Sequence, residues 1–186
     1  MTVRFESTSI AGCTVISPEP IEDHRGYFAR IWDREESLAR GLEVSIAQIN
    51  LSGSLKAGTV RGLHWQATPH AEAKVVRCVS GAVFDVCVDL RPGSATVGRW
   101  HGIEISAADR RAVHVPPGCA HGYQTLVDGT EVLYTSSTPY HGPSERGVRW
   151  DDPALAIDWP LRDGVSVSDK DASWPDLGAD RRGVTG

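Results

Sequence analysis

Apolar and polar side chains alternate along much of the middle of the chain. Between residues 82 and 90 every second side chain is apolar, and aspartates occupy positions 85 and 89 on the opposite face. This period of two predicts a half-buried β-strand, and the following RPGS at 91–94 predicts a turn. Similar patterns predict further strands at 27–32, 44–51, 58–65, 73–79, 100–105, 111–115, 122–126 and 131–136. Many short strands at regular spacing predict a sandwich, a jelly roll or a barrel.

One helix is predicted before the C-terminal third of the chain. It covers residues 33–40, with Asp33 as its N-cap and Gly41 as its stop. The C-terminal third contains DDP at 151–153, WP at 159–160 and SDKD at 168–171, which favour loops and short helical turns. No repeat or linker divides the chain, so we expect one domain over residues 1–177 and a flexible tail at 178–186.

Charge and composition exclude several classes of partner. The net charge of −5 over 186 residues argues against a general nucleic-acid binder, although a phosphate-bearing small ligand needs only a few local cations. No run approaches the roughly 20 apolar residues that cross a bilayer, so no membrane partner is expected. The first ten residues lack the pattern of an export signal, and we therefore expect a cytoplasmic protein. Cys78 and Cys87 lie in apolar runs, which predicts small buried side chains.

Three common catalytic motifs are absent from the sequence. There is no G-x-G-x-x-G after a strand, no G-x-x-x-x-G-K-[ST] and no G-x-S-x-G. A nucleotide-cofactor oxidoreductase, a P-loop enzyme and an α/β-hydrolase are therefore disfavoured. Histidines, tyrosines, carboxylates and a few lysines remain as candidates, and Lys74 is one of only three lysines in the chain.

His64 lies in the segment RGLHWQ at 61–66. On a regular strand, His64 would share one face with Val60, Gly62 and Gln66. An isolated histidine is more often structural than catalytic. Here a glycine within the strand indicates close approach by a ligand or by another backbone, and Arg61 offers a fork that suits phosphate.

His121 lies in the P-x-G-x-x-H pattern of residues 116–121, which resembles the second motif of the cupins. That histidine is a metal ligand in cupins, but a metal site needs several converging ligands. The first cupin motif would supply two histidines separated by one residue, whereas this chain has His64 and then Gln66. We therefore expect the barrel without a metal.

Several remaining candidates carry little weight alone. Tyr134 and Tyr140 could be ordinary strand aromatics, and Asp171 in SDKD could cap a loop. Their order along the chain, together with that of nine short motifs, carries more information. The motifs are DHRGYF at 23–28, QINLS at 48–52, RGLHWQ at 61–66, AKVVR at 73–77, GAVFDV at 81–86, DLRPGS at 89–94, AHGY at 120–123, WDDP at 150–153 and SDKD at 168–171.

This ordered set resembles the dTDP-4-dehydrorhamnose 3,5-epimerases from about residue 4 to about residue 175. The resemblance implies a mainly β fold, a cupin-type jelly-roll barrel with a few short helices. It also implies a homodimer that uses neither a metal nor another cofactor. The substrate of that family is a nucleotide-linked 4-keto-6-deoxy sugar, whose ketone acidifies the hydrogens on C3 and C5.

The resemblance also implies catalytic roles for four residues. His64 matches the general base, and Asp171 would orient its imidazole and favour the protonated form. Tyr134 matches the acid that delivers a proton from the opposite face of the sugar. Lys74 would stabilise the developing oxyanion.

Further positions match the residues that hold the substrate. They are Arg25, Phe28, Gln48, Asn50, Arg61, His121, Tyr140, Glu145 and Lys170. Tyr140 matches the aromatic that stacks on the base of the nucleotide. Arg30 stands where family members usually carry glutamate. A glutamate can accept the thymine N3–H, whereas arginine has only donors, which suit the N3 and O2 acceptors of cytosine. A CDP-sugar is therefore an alternative to a dTDP-sugar.

Three other functions remain open at this point. The first is an epimerase that acts at C3 only or C5 only, in an antibiotic-sugar pathway. The second is a metal-dependent cupin oxygenase, which metal analysis would reveal. The third is a non-catalytic sugar-nucleotide sensor, which is disfavoured because a sensor needs neither the His64–Asp171 pair nor Tyr134.

Overall fold

A computed structural model of the chain describes residues 2–43 and 45–177. The predicted tail at 178–186 lies outside the described residues, as does residue 44 at the start of one predicted strand. The elements are β1 (Val3–Ser7), β2 (Thr14–Pro18), β3 (Ile21–Asp23), β4 (Gly26–Phe28), α1 (Arg34–Leu38), β5 (Gln48–Ser54), β6 (Val60–Gln66), β7 (Lys74–Ser80), β8 (Ala82–Asp89), β9 (Trp100–Ser106), β10 (Ala112–Val115), β11 (Cys119–Thr125), β12 (Thr130–Ser136), a 3₁₀ turn (Gly142–Ser144), β13 (Glu145–Gly147) and α2 (Asp169–Ala172).

Two antiparallel sheets form a jelly-roll barrel, which confirms the predicted mainly β fold class. The first sheet has the strand order β1-β2-β10-β7-β12-β5, and the second has β13-β6-β11-β8-β9. The strands β3 and β4 form a separate hairpin. A core cluster lies between the sheets, and it contains Val76 and Val132 from the first sheet and Val83 from the second. Within the described ranges, no helix is long and apolar enough to span a membrane.

The strand β8 is buried on both faces, so the prediction of a half-buried strand at 82–90 was wrong. Val83 and Cys87 point into the core between the sheets. Val86 and Val88 point to the other side of the second sheet, where the chain after β13 covers them with a second core cluster. The same covering explains why the C-terminal third, predicted as loops and turns, carries buried residues such as Trp159.

The strand β6 changes face along its length, so the predicted common face of Val60, Gly62, His64 and Gln66 was wrong. Val60 packs in the second core cluster together with Leu63, three residues later. The register explains this, because His121 opposes His64 whereas Tyr123 opposes Arg61. Three steps on β6 therefore match two on β11, which is a β-bulge. As a result, Arg61 and His64 both face the same cavity.

Gly62 lies at this bulge and allows the close approach that the sequence predicted. Its φ of 122° is one that residues with a side chain rarely adopt, and a Cβ would lie 2.6 Å from the Cα of Gly122. The approaching group is therefore another backbone.

Other local predictions were confirmed with shifted boundaries. The Asp33 side chain caps α1 by accepting from Glu36 N–H, but the helix ends at Leu38, before the predicted stop at Gly41. All four cysteines are free and buried. The predicted strand at 27–32 shrinks to β4. The strands β1, β2, β3 and β13 were not predicted.

Candidate active site

A cavity of about 290 Å³ opens between the two sheets. Its lining combines side chains from both sheets and from α2, namely Ser52, Arg61, His64, Lys74, His121, Tyr123, Tyr134, Ser168, Lys170 and Asp171. A second cavity of about 360 Å³ adjoins it and shares His64, Lys74 and Tyr134. The residues that both cavities share are therefore three of the four residues to which the resemblance gave catalytic roles.

His64 and Asp171 form a hydrogen-bonded pair at the junction of the cavities. His64 Nε2 lies 2.6 Å from Asp171 Oδ1, and Asp171 Oδ2 accepts the Gly62 N–H at 3.1 Å. Burial opposes ionisation of Asp171, but the bonds from His64 and Gly62 outweigh it and lower the pKa of the carboxyl. With Nε2 engaged, Nδ1 of His64 has no hydrogen-bond partner among the described residues and is available as a base.

The short helix α2 supplies Asp171 to this pair. Ser168 caps α2 by accepting the Asp171 N–H at 3.1 Å. Ser168 is therefore the cap, so the reading of Asp171 itself as a loop cap was wrong, and its carboxylate is free to bind His64. Trp174, just after the helix, packs edge-on against the His64 ring at 6.3 Å between centroids.

A second histidine–carboxylate pair faces the same cavity. His121 Nε2 lies 2.8 Å from Asp85 Oδ2, and this pair connects the neighbouring strands β11 and β8. The Asp85 side chain is fully buried, and its Oδ1 has no partner among the described residues. Sequence reasoning identified His121 as a candidate but missed Asp85, although Asp85 lies within the GAVFDV motif.

Tyr134 faces His64 from the opposite sheet. Its hydroxyl makes no hydrogen bond to a described residue. Burial raises the pKa of Tyr134, and the negative charge of Glu72 raises it further, so the phenol stays protonated. Arg61, fixed by a bond from Nη2 to the Gly53 carbonyl at 2.9 Å, partly offsets that rise. A protonated phenol that has no partner is suited to donate a proton.

The outer rim of the second cavity is held by a small polar network. Glu145 Oε2 accepts the Tyr140 hydroxyl at 2.8 Å, and Glu145 Oε1 binds Lys170 Nζ at 2.6 Å. Gln48 Oε1 accepts the Tyr140 N–H at 2.9 Å, and Asn50 lines the same cavity. All five residues were predicted to hold the substrate. Four of them line the second cavity, and Lys170, which pairs with Glu145, lines the adjoining first cavity.

Three predicted substrate contacts lie elsewhere in the single chain. Arg25 and Phe28 lie on the hairpin of β3 and β4, beside a separate exposed cleft. Arg25 pairs with Asp23, and Arg30 pairs with Asp33 at 3.1 Å. Arg25, Phe28 and Arg30 line neither of the two adjoining cavities.

Sequence reasoning also missed several residues of the cavity walls. Tyr123 donates a hydrogen bond to Ser52 at 3.0 Å, and both belong to motifs that were identified without assigning them a role. Glu72 and Ser136 line the second cavity, and neither belongs to a motif. Across residues 2–43 and 45–177, no group of three or more His, Cys, Asp and Glu side chains is arranged to hold a metal.

The site and the barrel together define a class, a jelly-roll enzyme whose cavity is lined by titratable side chains from both sheets. The chain belongs to the dTDP-4-dehydrorhamnose 3,5-epimerase family, whose model matches residues 7–179. It is 43% identical to the dTDP-4-dehydrorhamnose 3,5-epimerase of Sinorhizobium fredii, over 93% of this chain and 89% of that protein.

Two other relatives bear on the choice between family functions. The dTDP-4-dehydrorhamnose 3-epimerase of Streptomyces niveus is 42% identical, over 91% of this chain and 83% of that protein. The crystal structure of the 3,5-epimerase from Bacillus anthracis, with TDP and pyrophosphate bound, superposes with a TM-score of 0.90 at 38% identity. That match covers 95% of this chain and all of the other.

Proposed function

We propose that this protein inverts C3 and C5 of a dTDP-linked 4-keto-6-deoxyhexose, a reaction of deoxysugar biosynthesis. The observation that carries the proposal is the placement of His64 and Tyr134 on facing sheets around one cavity. Inversion at a carbon requires that a proton leaves one face and another arrives on the opposite face. Two proton-transferring groups on opposite walls meet this requirement.

His64 acts as the base through Nδ1. The electron pair of the C–H bond becomes the enolate of the C4 ketone, and the proton passes to the imidazole. Asp171 then faces an imidazolium, which its charge stabilises. Such a positioned base contributes about 10²–10⁴-fold to the rate.

Tyr134 returns a proton to the same carbon from the other face. The C–H bond that forms consumes the enolate pair, and the phenol becomes a phenolate. Transfer to and from water restores both residues before the second carbon reacts. Burial of Tyr134 supports this role, since it keeps the phenol protonated until a carbanion is present.

Lys74 stabilises the enolate oxygen. Its side chain is only 14% exposed and, like His64 and Tyr134, lines both adjoining cavities. A preorganised cation in a water-poor site is a large contributor to enolate chemistry. His121 contributes a second polar contact to the substrate from the wall that Asp85 supports.

The nucleotide binds at the rim that holds Tyr140, Glu145 and Lys170. The TDP-bound relative favours dTDP over CDP as the carrier. Arg30 pairs with Asp33 on the surface of the single chain, so a role in reading the base would require it to reach the site of another copy.

A homodimer would supply such a copy. Ile49 and Leu51 on the edge strand β5 are 63% and 62% exposed, and Phe28 on the hairpin is 64% exposed. Exposed apolar groups on an unpaired edge strand favour association with a second chain. Arg25, Phe28 and Arg30 would then contact the partner's cavity. Sedimentation should give twice the mass of one chain, and a fully active monomer would overturn this part of the proposal.

The reaction is tested by incubation with dTDP-4-keto-6-deoxyglucose in deuterated water, followed by NMR of the sugar. We expect deuterium and inversion at both C3 and C5, unaffected by a chelator. No exchange at either carbon would refute the proposal, and activity restored by one divalent metal would revive the oxygenase.

A C3-only epimerase is the second candidate, because the Streptomyces niveus relative carries that activity in its name. The same spectrum separates the two, since a 3-epimerase gives product with C3 inverted and C5 retained. The Sinorhizobium fredii relative, whose name gives action at both carbons, supports the first candidate.

A further inference from the structure

The second cavity contains a carboxylate that none of the steps above uses. Glu72 is 11% exposed, and its Oε1 lies 3.1 Å from Lys74 Nζ. Its other oxygen, Oε2, accepts a hydrogen bond from the hydroxyl of Ser136. Both carboxylate oxygens are therefore engaged by groups that line the same wall.

This arrangement is built into the first sheet. Lys74 and Ser136 are direct partners across the ladder of β7 and β12, and Tyr134 lies two residues before Ser136 on the same face. Glu72 lies just before β7, and its carboxylate contacts both residues of this pair. The carboxylate thus lies beside both the predicted enolate-stabilising cation and the predicted acid.

We propose that Glu72 is a positioning residue that holds the Lys74 ammonium in place within the lining that the two cavities share with His64 and Tyr134. This inference rests on the proposed function. A lysine side chain has four flexible bonds, and its cation would otherwise explore much of the cavity. Ser136 anchors Glu72 in turn, so the geometry of the cation is set before substrate arrives.

The same carboxylate also affects the acid. The charge of Glu72 raises the pKa of Tyr134, and only burial raises that pKa more. The charge of Arg61 lowers it. The other titratable groups that line the first cavity with Tyr134 are His64, Lys74, His121, Tyr123, Lys170 and Asp171, and the second cavity adds Tyr140 and Glu145. Removal of the Glu72 charge removes one negative charge near the phenol, so Tyr134 should ionise at lower pH.

The kinetic test compares Glu72→Ala and Glu72→Gln with the wild type. Glu72→Ala should lower kcat about tenfold with little change in KM, since one charge-assisted contact to the cation is lost. Glu72→Gln can still accept from Ser136 and Lys74 and should recover most of kcat at neutral pH. The alkaline limb of its kcat–pH profile should lie at lower pH than that of the wild type. A purely structural role for Glu72 would leave this limb at the same pH.

Asp128→Asn is the matched control. Asp128 pairs with Lys56 at 2.9 Å on the surface, so this change also removes a lysine-paired carboxylate but leaves the cavity intact. Its kcat and pH profile should equal those of the wild type. Equal profiles for wild type, Glu72→Gln and Glu72→Ala would overturn the proposal.

A second readout does not need catalysis. The chain has three lysines, Lys56, Lys74 and Lys170, so acetylation at each can be followed by mass spectrometry. Glu72→Ala should raise the acetylation rate of Lys74 several-fold relative to Lys56 within the same sample, since the amine loses its main contact. An unchanged ratio would show that Glu72 does not hold Lys74.

The two readouts separate this inference from the proposed function. If the wild type does not exchange deuterium into the sugar but Lys74 is freed in Glu72→Ala, the reaction assignment fails and the positioning role stands. If the wild type is active and Glu72→Ala changes neither kcat nor the ratio of Lys74 to Lys56 acetylation, only the proposed role of Glu72 is refuted.

Discussion

The two histidine–carboxylate pairs of the cavity are alike in chemistry and different in construction. His64 and Asp171 are 107 positions apart and meet through a bulged strand and a short C-terminal helix. His121 and Asp85 are 36 positions apart and meet across the regular ladder of β11 and β8. The His64 side chain is 27% exposed, whereas that of His121 is 9% exposed.

This difference indicates that the two pairs have different roles. Nδ1 of the His64 ring makes no hydrogen bond to a described residue. Asp171 is held at two further points, its carboxylate by the Gly62 N–H and its backbone N–H by the Ser168 hydroxyl. Such a pair can bind and release a proton while its orientation stays fixed. The His121 pair is almost fully buried, which suits a fixed hydrogen-bond donor better than a group that exchanges protons. We therefore assign proton transfer to the first pair and substrate contact to the second.

Tyr134→Phe should have the largest effect among the changes outside the pairs. Loss of the acid should reduce inverted product about 10²–10⁴-fold, while deuterium still enters at C3 because His64 is intact. NMR of the recovered sugar measures both quantities. Normal turnover of the variant would show that water or another group supplies the proton, and the facing-walls argument would fail.

The stabilisation by Asp171 should decrease at acid pH. The folded-state pKa of Asp171 is lowered, so its bonds stabilise the protein above the unfolded pKa of about 4 and are lost as pH falls through the folded value. Asp171→Asn should cost about 1–3 kcal/mol at pH 7 and progressively less below about pH 4. Urea unfolding of the wild type and the variant at pH 7 and pH 3 measures this difference. A cost for Asp171→Asn that does not change with pH would refute the account of its bonds.

Arg30→Glu should have the smallest effect, because Arg30 touches neither pair. We expect dTDP to bind more tightly than CDP in the wild type, with the preference changed less than about tenfold by the substitution. Calorimetric competition of the two nucleotides measures this preference. A wild type that prefers CDP and reverses with Arg30→Glu would place Arg30 at the base after all.

The sequence predicted the fold class and most of the cavity lining, because both depend on local patterns in a fixed order. The alternation that marks β8 shows which residues share a face, but it cannot show that the chain after β13 covers the outer face. The shared face predicted for Val60 and His64 failed for a related reason. A bulge depends on the partner strand, here the approach of Gly122 to Gly62, and no pattern within β6 reveals it.

Two of the site residues missed from the sequence act through another side chain. Asp85 contacts His121 through the register of β8 and β11, and Glu72 contacts Lys74, two residues later in the chain. Arg25, Phe28 and Arg30 present the opposite case. Their motif predicts a substrate contact that one chain does not make, so their role depends on the proposed second copy.

The assignment of proton transfer to the His64 pair and substrate contact to the His121 pair is tested most directly by His64→Asn and His121→Asn. Each variant is incubated with dTDP-4-keto-6-deoxyglucose in deuterated water. Position-resolved NMR should find no deuterium at C3 or C5 with His64→Asn, although the variant still binds nucleotide. His121→Asn should exchange more slowly than the wild type, by about tenfold or more, but measurably. Wild-type exchange in His64→Asn, or exchange in His64→Asn that exceeds that in His121→Asn, would contradict the assignment of His64 as the base.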